Sequence, residues 1–173
     1  MPNLVAILVY PDPRLYKKAE LVEDATALDV QAVIDDMFYT LENTPNCAGL
    51  AATQLDFANP KAITVLMDYS HDGTQPLCLI NPVIIEAEGE QNEEEGCMSV
   101  FPRQIHEHVK RAARITVRAL DRHGKTIEYK AEGYIAKLIQ HEVDHLNGKI
   151  YLQRLSLLKR ARINQKIKKI TDI

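Results

Sequence analysis

Apolar residues at Val30, Val33, Ile34, Met37 and Leu41 recur three and four positions apart, the spacing that lines up one face of an α-helix. The turn formers Asn43-Thr44-Pro45-Asn46 predict where that helix ends. Ala62 to Met67 and Leu77 to Glu86 read as extended segments, the first rich in β-branched residues and closed by the turn-like Ser70-His71-Asp72-Gly73. Arg114 to Leu120 and Lys125 to Lys130 alternate around Asp121-Arg122-His123-Gly124, the pattern of a hairpin. A second helix is predicted from about Glu132 to Asn147, with Ile135, Leu138, Ile139, Val143 and Leu146 as its apolar positions and Gly148 as its stop. From Tyr151 onward a basic helix is predicted, its apolar side formed by Leu155, Leu158, Ile163 and Ile167. This order of elements is α+β, without a repeat or a low-complexity linker.

At 173 residues and 46% hydrophobic, the chain fits one domain, residues 1–173, with an adequate core. Three unevenly spaced Cys residues argue against a disulfide scaffold and suit a reducing compartment. The N-terminal apolar run Leu4 to Tyr10 is too short for a membrane span and lacks a basic leader, so a cytoplasmic protein with no membrane association is expected. Charge is uneven. Residues 151–173 hold seven basic residues and one acidic residue, a net +6, against −3 for the whole chain. Arg154, Lys159, Arg160, Arg162, Lys166, Lys168 and Lys169 form the basic side of the last helix, which reads as a solvated face that also suits RNA. The acidic run Glu86, Glu88, Glu90, Glu93, Glu94 reads as a solvated strand.

Three constellations carry chemistry. In Gln140-His141-Glu142-Val143-Asp144-His145-Leu146 two imidazoles stand four residues apart, on one face of a helix, where both can grip one metal ion. Glu142 stands beside them, placed to take a proton from water that the ion polarises. A surface helix can carry such residues by accident. The apolar flanks make this a core helix, however, and burying two His and a Glu is costly unless something satisfies them. In Glu95-Gly96-Cys97-Met98-Ser99, Cys97 is a candidate thiolate ligand, and two His plus one Cys leave a fourth metal position open for water. Cys78, inside an apolar run, reads as a small buried side chain. In Gly49-Leu50-Ala51-Ala52-Thr53-Gln54, small residues allow close backbone approach and Gln54 can offer an amide N–H to an oxyanion. A tight turn with small packing residues fits the same composition.

Taken together and in this order, Gly-Leu-Ala-Ala-Thr-Gln, Glu-Gly-Cys-Met-Ser and Gln-His-Glu-Val-Asp-His-Leu-Asn-Gly resemble the three signature motifs of peptide deformylases. The resemblance extends from Tyr10-Pro11-Asp12-Pro13-Arg14-Leu15 to the basic helix at the end. It implies a fold of antiparallel β-sheets packed around a central helix carrying the His-Glu-x-x-His motif, with a helix at 151–173. It assigns Cys97, His141 and His145 as ligands of one divalent metal, Fe(II), which Ni, Co or Zn can replace. Glu142 becomes the general acid and base, Gln54 and the backbone N–H of Met98 the oxyanion donors, and Gly49 and Leu50 positions lining the peptide groove. The implied reaction removes the N-formyl group from nascent formylmethionyl peptides and releases formate. The terminal helix is then associated with docking at the ribosome, and DNA is not expected as a partner.

The chain departs from the family pattern in places. Cys47 stands where a Gly usually opens the first motif, and could narrow the groove mouth or add an oxidisable thiol. Met98 replaces Leu but would act through its backbone. Val100-Phe101-Pro102-Arg103-Gln104 makes a longer path to the next strand, which puts substrate contacts from this loop in doubt. His106 and His108 alternate like a strand edge rather than a second metal site, and His71 and His123 read as exposed turn residues. A zinc endopeptidase is disfavoured by the Cys upstream of the helix. A non-catalytic relative is disfavoured by the presence of both Glu142 and Gln54.

Overall fold

The computed structural model describes residues 1–70 and 73–172. His71 and Asp72 of the expected turn lie outside the described residues. The first helix, α1 (Leu28–Glu42), buries Val30, Ile34, Met37 and Leu41 along one face, as the periodicity predicts, and stops at Asn43, the first of the turn formers. Strands β1 (Gly49–Ala51), β2 (Ile63–Asp68), β3 (Gln75–Glu88), β6 (Arg114–Leu120) and β7 (Thr126–Glu132) form one antiparallel sheet in the order β1-β2-β3-β6-β7. Strands β4 (Gln91–Glu95) and β5 (Glu107–Arg111) make a separate antiparallel ribbon, pairing Glu95 with Glu107.

Strand β1 is an edge strand, yet all three of its residues are buried, because α1 and the helix α2 (Gly133–Leu146) both pack against it. At position 49 the approach leaves little room for a side chain. A Cβ on Gly49 would stand 3.3 Å from Leu138 Cδ1, 3.3 Å from Leu66 Cβ and 3.4 Å from Glu142 Cγ. The hairpin turn is the expected one: the Asp121 N–H donates to Lys125 O at 2.8 Å and Gly124 sits at φ +83°. The long β3 shifts register near Asn81, whose amide exchanges two 2.9 Å hydrogen bonds with the backbone of Val22.

Helix α2 runs through the centre of the molecule and buries Ile135, Ala136, Ile139, Val143 and Leu146 together with its polar residues His141, Glu142, Asp144 and His145. Its end is fixed twice over. The Gly148 N–H donates to His145 O at 3.0 Å and the Lys149 N–H to Asp144 O at 2.9 Å, with Gly148 at φ +77°. A Cβ at Gly148 would also lie 2.6 Å from Tyr16 O, so no larger residue fits.

The last helix starts later than expected. Tyr151–Arg154 is a 3-10 turn with Tyr151 and Leu152 buried, and α3 spans Leu157–Thr171 behind the cap Ser156. Leu155 therefore precedes the helix, and Leu158 is 64% exposed rather than part of its apolar side. Ile163 and Ile167 do face inward, into a cluster with Leu15, Cys97, Val100, Ile105 and Tyr151. No helix among the described residues is long and apolar enough to cross a membrane.

Candidate metal centre and active site

Three separate segments meet at one point. Helix α2 brings His141, Glu142 and His145; the turn after β4 brings Cys97; the 3-10 turn Ala52–Gln54 after β1 brings Gln54. Cys97 Sγ lies 3.3 Å from His145 Nε2, which lies 3.2 Å from His141 Nε2. All three ligand atoms fall within 4.8 Å of one another and all three residues are buried.

Those separations fit a metal ion. Metal–sulfur and metal–nitrogen bonds of about 2.3 and 2.0–2.1 Å at tetrahedral angles place the ligand atoms roughly 3.3–3.6 Å apart. The same three atoms can share protons among themselves, and once deprotonated they offer three converging donors to a cation. His141 is prepared for that role, since its Nδ1 meets Glu95 Oε1 at 2.9 Å and leaves Nε2 for the ion. Burial, with the charges of His141 and Arg111, holds His145 well below the usual imidazole range, in the neutral state that ligates. Burial pushes His141 down too, but its hydrogen bonds to Cys97 and Glu95, which accept from the ring, overcome it and lift the pKa to about 10. The pocket thus attracts positive charge.

Glu142 sits 4.0 Å from His141 Nε2 through Oε1, while its Oε2 has no hydrogen-bond partner among the described residues. Burial, with a contribution from Glu95, outweighs the opposing charge of His141 and pushes Glu142 up to about 7. A carboxyl group poised near neutrality can take up and return a proton. Gln54 is held in one orientation. Its Oε1 accepts the Ala51 N–H at 3.0 Å, which turns the amide nitrogen toward Ser99 Oγ at 3.2 Å and Cys97 Sγ at 3.5 Å.

A cavity of about 450 Å³ opens over this cluster, lined by Gly49, Gln54, Cys97, Met98, His141 and Glu142 among others. Leu50, expected in the groove, instead turns its fully buried side chain into the core against α1 residues such as Ile34 and Met37. The loop that departs from the family pattern contributes Pro102, Arg103 and His106 to the cavity wall. His106 packs so closely on Gly96 that a Cβ there would lie 2.7 Å from its Cδ2, which explains the glycine before Cys97. Among the described residues, Cys97, His141 and His145 are the one group of three or more potential ligands that converges. Cys47 lies beside Gly49, its Sγ 3.5 Å from Gly49 O, and burial pushes its thiol up to about 12. Such a thiol stays protonated at neutral pH and resists oxidation.

The sequence reading missed the shell behind the ligands. Arg111, almost wholly buried on β5, holds Glu95 with two nitrogens at 2.8 and 2.9 Å and Asp144 at 2.6 Å. Against the cost of burial, Arg111 and His141 draw Glu95 down to about 2, so it remains ionised. Arg154, expected on the solvated helix, lies before it and binds Asp144. Tyr151 stacks on the His141 ring at 6.0 Å between centroids.

An α+β fold holding a Cys/His/His cluster, a buried carboxyl group and an oriented amide beneath one cavity defines a metal-dependent hydrolase. The polypeptide deformylase family model matches residues 4–161. Peptide deformylase 1 of Coxiella burnetii is 56% identical over 164 residues, covering 95% of each chain. Among solved structures, a peptide deformylase from Legionella pneumophila superposes with a TM-score of 0.85 at 38% identity, covering 98% of this chain and 96% of that one. One from Ehrlichia chaffeensis, in complex with actinonin, gives 0.86 at 34% identity with both chains fully covered. The chain belongs to the polypeptide deformylase family. Its activity is that of the family, removal of the formyl group from the amino terminus of newly made polypeptides.

Proposed function

We propose that Cys97, His141 and His145 hold one divalent metal and that Glu142 is the proton carrier for hydrolysis of the formyl amide. The observation that carries this reading is the convergence of three buried ligand atoms beside a buried carboxyl oxygen that has no partner among the described residues. When bound, the ion supplies Lewis acidity toward water and the formyl oxygen. Glu142 removes a proton from the attacking water and later delivers it to the departing amine. Gln54 Nε2 and the Met98 N–H donate to the oxygen that gains charge, and the fixed orientation of the Gln54 amide means little reorganisation at that moment. Gly49 and Leu50 serve through the backbone of the edge strand β1, whose outward side can pair an extended peptide.

Fe(II) is the proposed native metal, with Ni, Co or Zn as replacements, since a Cys/His/His set suits several borderline metals. The basic side of α3, from Lys159 to Lys169 and exposed at Arg162, Lys166, Lys168 and Lys169, is proposed to hold the protein near the ribosome, and a cytoplasmic location follows from that task. Protein purified without oxygen should release one formate per formyl-methionyl peptide cleaved, and Glu142→Gln should not. A metal-loaded protein that leaves such peptides intact would overturn the reading.

A further inference from the structure

Arg154 binds Asp144 with two nitrogens, Nε to Oδ2 at 2.5 Å and Nη2 to Oδ1 at 2.7 Å. Arg111 reaches the same Oδ2 at 2.6 Å and grips Glu95 at 2.8 and 2.9 Å, and Glu95 holds His141 Nδ1 at 2.9 Å. Four side chains of alternating charge therefore run unbroken from the surface to the ring of a metal ligand. The two acids are also tied to ligands through the chain itself. Asp144 immediately precedes His145, and Glu95 stands two residues before Cys97.

The Asp144 side chain is only 9% exposed, whereas that of Arg154 is 45% exposed. A buried carboxylate needs close cationic partners, and without Arg154 the charge of Asp144 would rest on Arg111 alone, which already serves Glu95 as well. With Arg154 on Asp144, Arg111 keeps its two-pronged hold on Glu95, and Glu95 keeps the His141 ring in one tautomer and one orientation. We propose that Arg154 is a positioning residue of the metal centre, setting through Asp144, Arg111 and Glu95 how firmly the ion is held. This rests on the reading of Cys97, His141 and His145 as ligands. Arg154 itself touches neither the ion nor the cavity.

The alternative is that Arg154 merely pins the turn before α3, and cobalt(II)-loaded protein separates the two. Arg154→Met removes the charge and both hydrogen bonds while keeping the stem. Cobalt should then pass to a chelator several-fold faster, a smaller effect than losing Glu95, the direct outer partner of His141. Arg154→Lys should restore most of the retention, and Arg162→Met, on the exposed side of α3, should match the parent. The fall in melting temperature caused by Arg154→Met should be larger with cobalt than without metal. Unchanged release, equal acceleration in Arg162→Met, or equal falls with and without cobalt would overturn the proposal, as would a variant that fails to fold without metal. A parent protein that retains no cobalt would instead refute the ligand assignment itself.

Discussion

Glu95 Oε1 lies 2.9 Å from His141 Nδ1, with both side chains shut away from solvent and the same carboxylate clasped by Arg111. This contact decides which nitrogen of His141 faces Cys97 and His145. Glu95→Gln keeps the shape but removes the charge and leaves Arg111 less well paired. Metal affinity should fall about 10- to 100-fold, measured by competition with a chelator. An unaltered affinity would show that the ring is oriented by packing on Tyr151 alone.

Glu142 is buried and close to Cys97, His141 and His145, yet it stands outside the group whose ligand atoms converge. Glu142→Gln should retain a full complement of metal while turnover drops by about 10²- to 10⁴-fold. Loss of the metal along with activity would contradict the role of proton carrier.

In cobalt-substituted protein, a thiolate ligand gives an intense near-ultraviolet charge-transfer band. The band should vanish in Cys97→Ala and persist in Cys47→Ala, because only Cys97 Sγ faces the imidazoles. A spectrum indifferent to Cys97→Ala would remove it from the metal centre.

Gly49→Ala would press a methyl group against Leu138, Leu66 and Glu142 at 3.3–3.4 Å. Overpacking of this kind costs about 1–3 kcal/mol in stability, read from denaturant unfolding. Turnover should fall as well, since one of the crowded atoms belongs to Glu142. A variant as stable and active as the parent would mean that α2 shifts freely over β1.

Removing the tail to test ribosome docking would also strip Ile163 and Ile167 from the cluster around Cys97, and a cut before Arg154 would expose Asp144. Charge reversal at Lys166, Lys168 and Lys169, all exposed, avoids both effects. The triple Glu variant should deformylate small peptides normally and lose salt-sensitive binding to ribosomes. Equal binding at low salt would end the docking proposal.

Much of this was legible in the chain. Helices α1 and α2 announce themselves through apolar spacing, and Gly148 marks a real stop because its positive φ and the nearby Tyr16 carbonyl forbid a side chain. Other features depend on contacts that no local pattern encodes. Arg111 carries no local signal of its burial, since its partners lie 16 and 33 residues away along the chain. Leu50 sits in a motif that suggests a groove, yet a strand buried on both faces sends its side chain into the core. The late start of α3 did leave a signal: Ser156 is a capping residue, and its hydroxyl accepts the Lys159 N–H.

The two ends of the main sheet are protected from self-association by different means. On β7, Glu128, Lys130 and Glu132 are exposed charges that discourage another strand from adding there. On β1 such charges would obstruct an incoming peptide, and the strand is neutral. Its safeguard is length: three residues offer too few hydrogen bonds to recruit a neighbouring copy, so the peptide pairing proposed there would need a chain end that also fits the proposed metal centre.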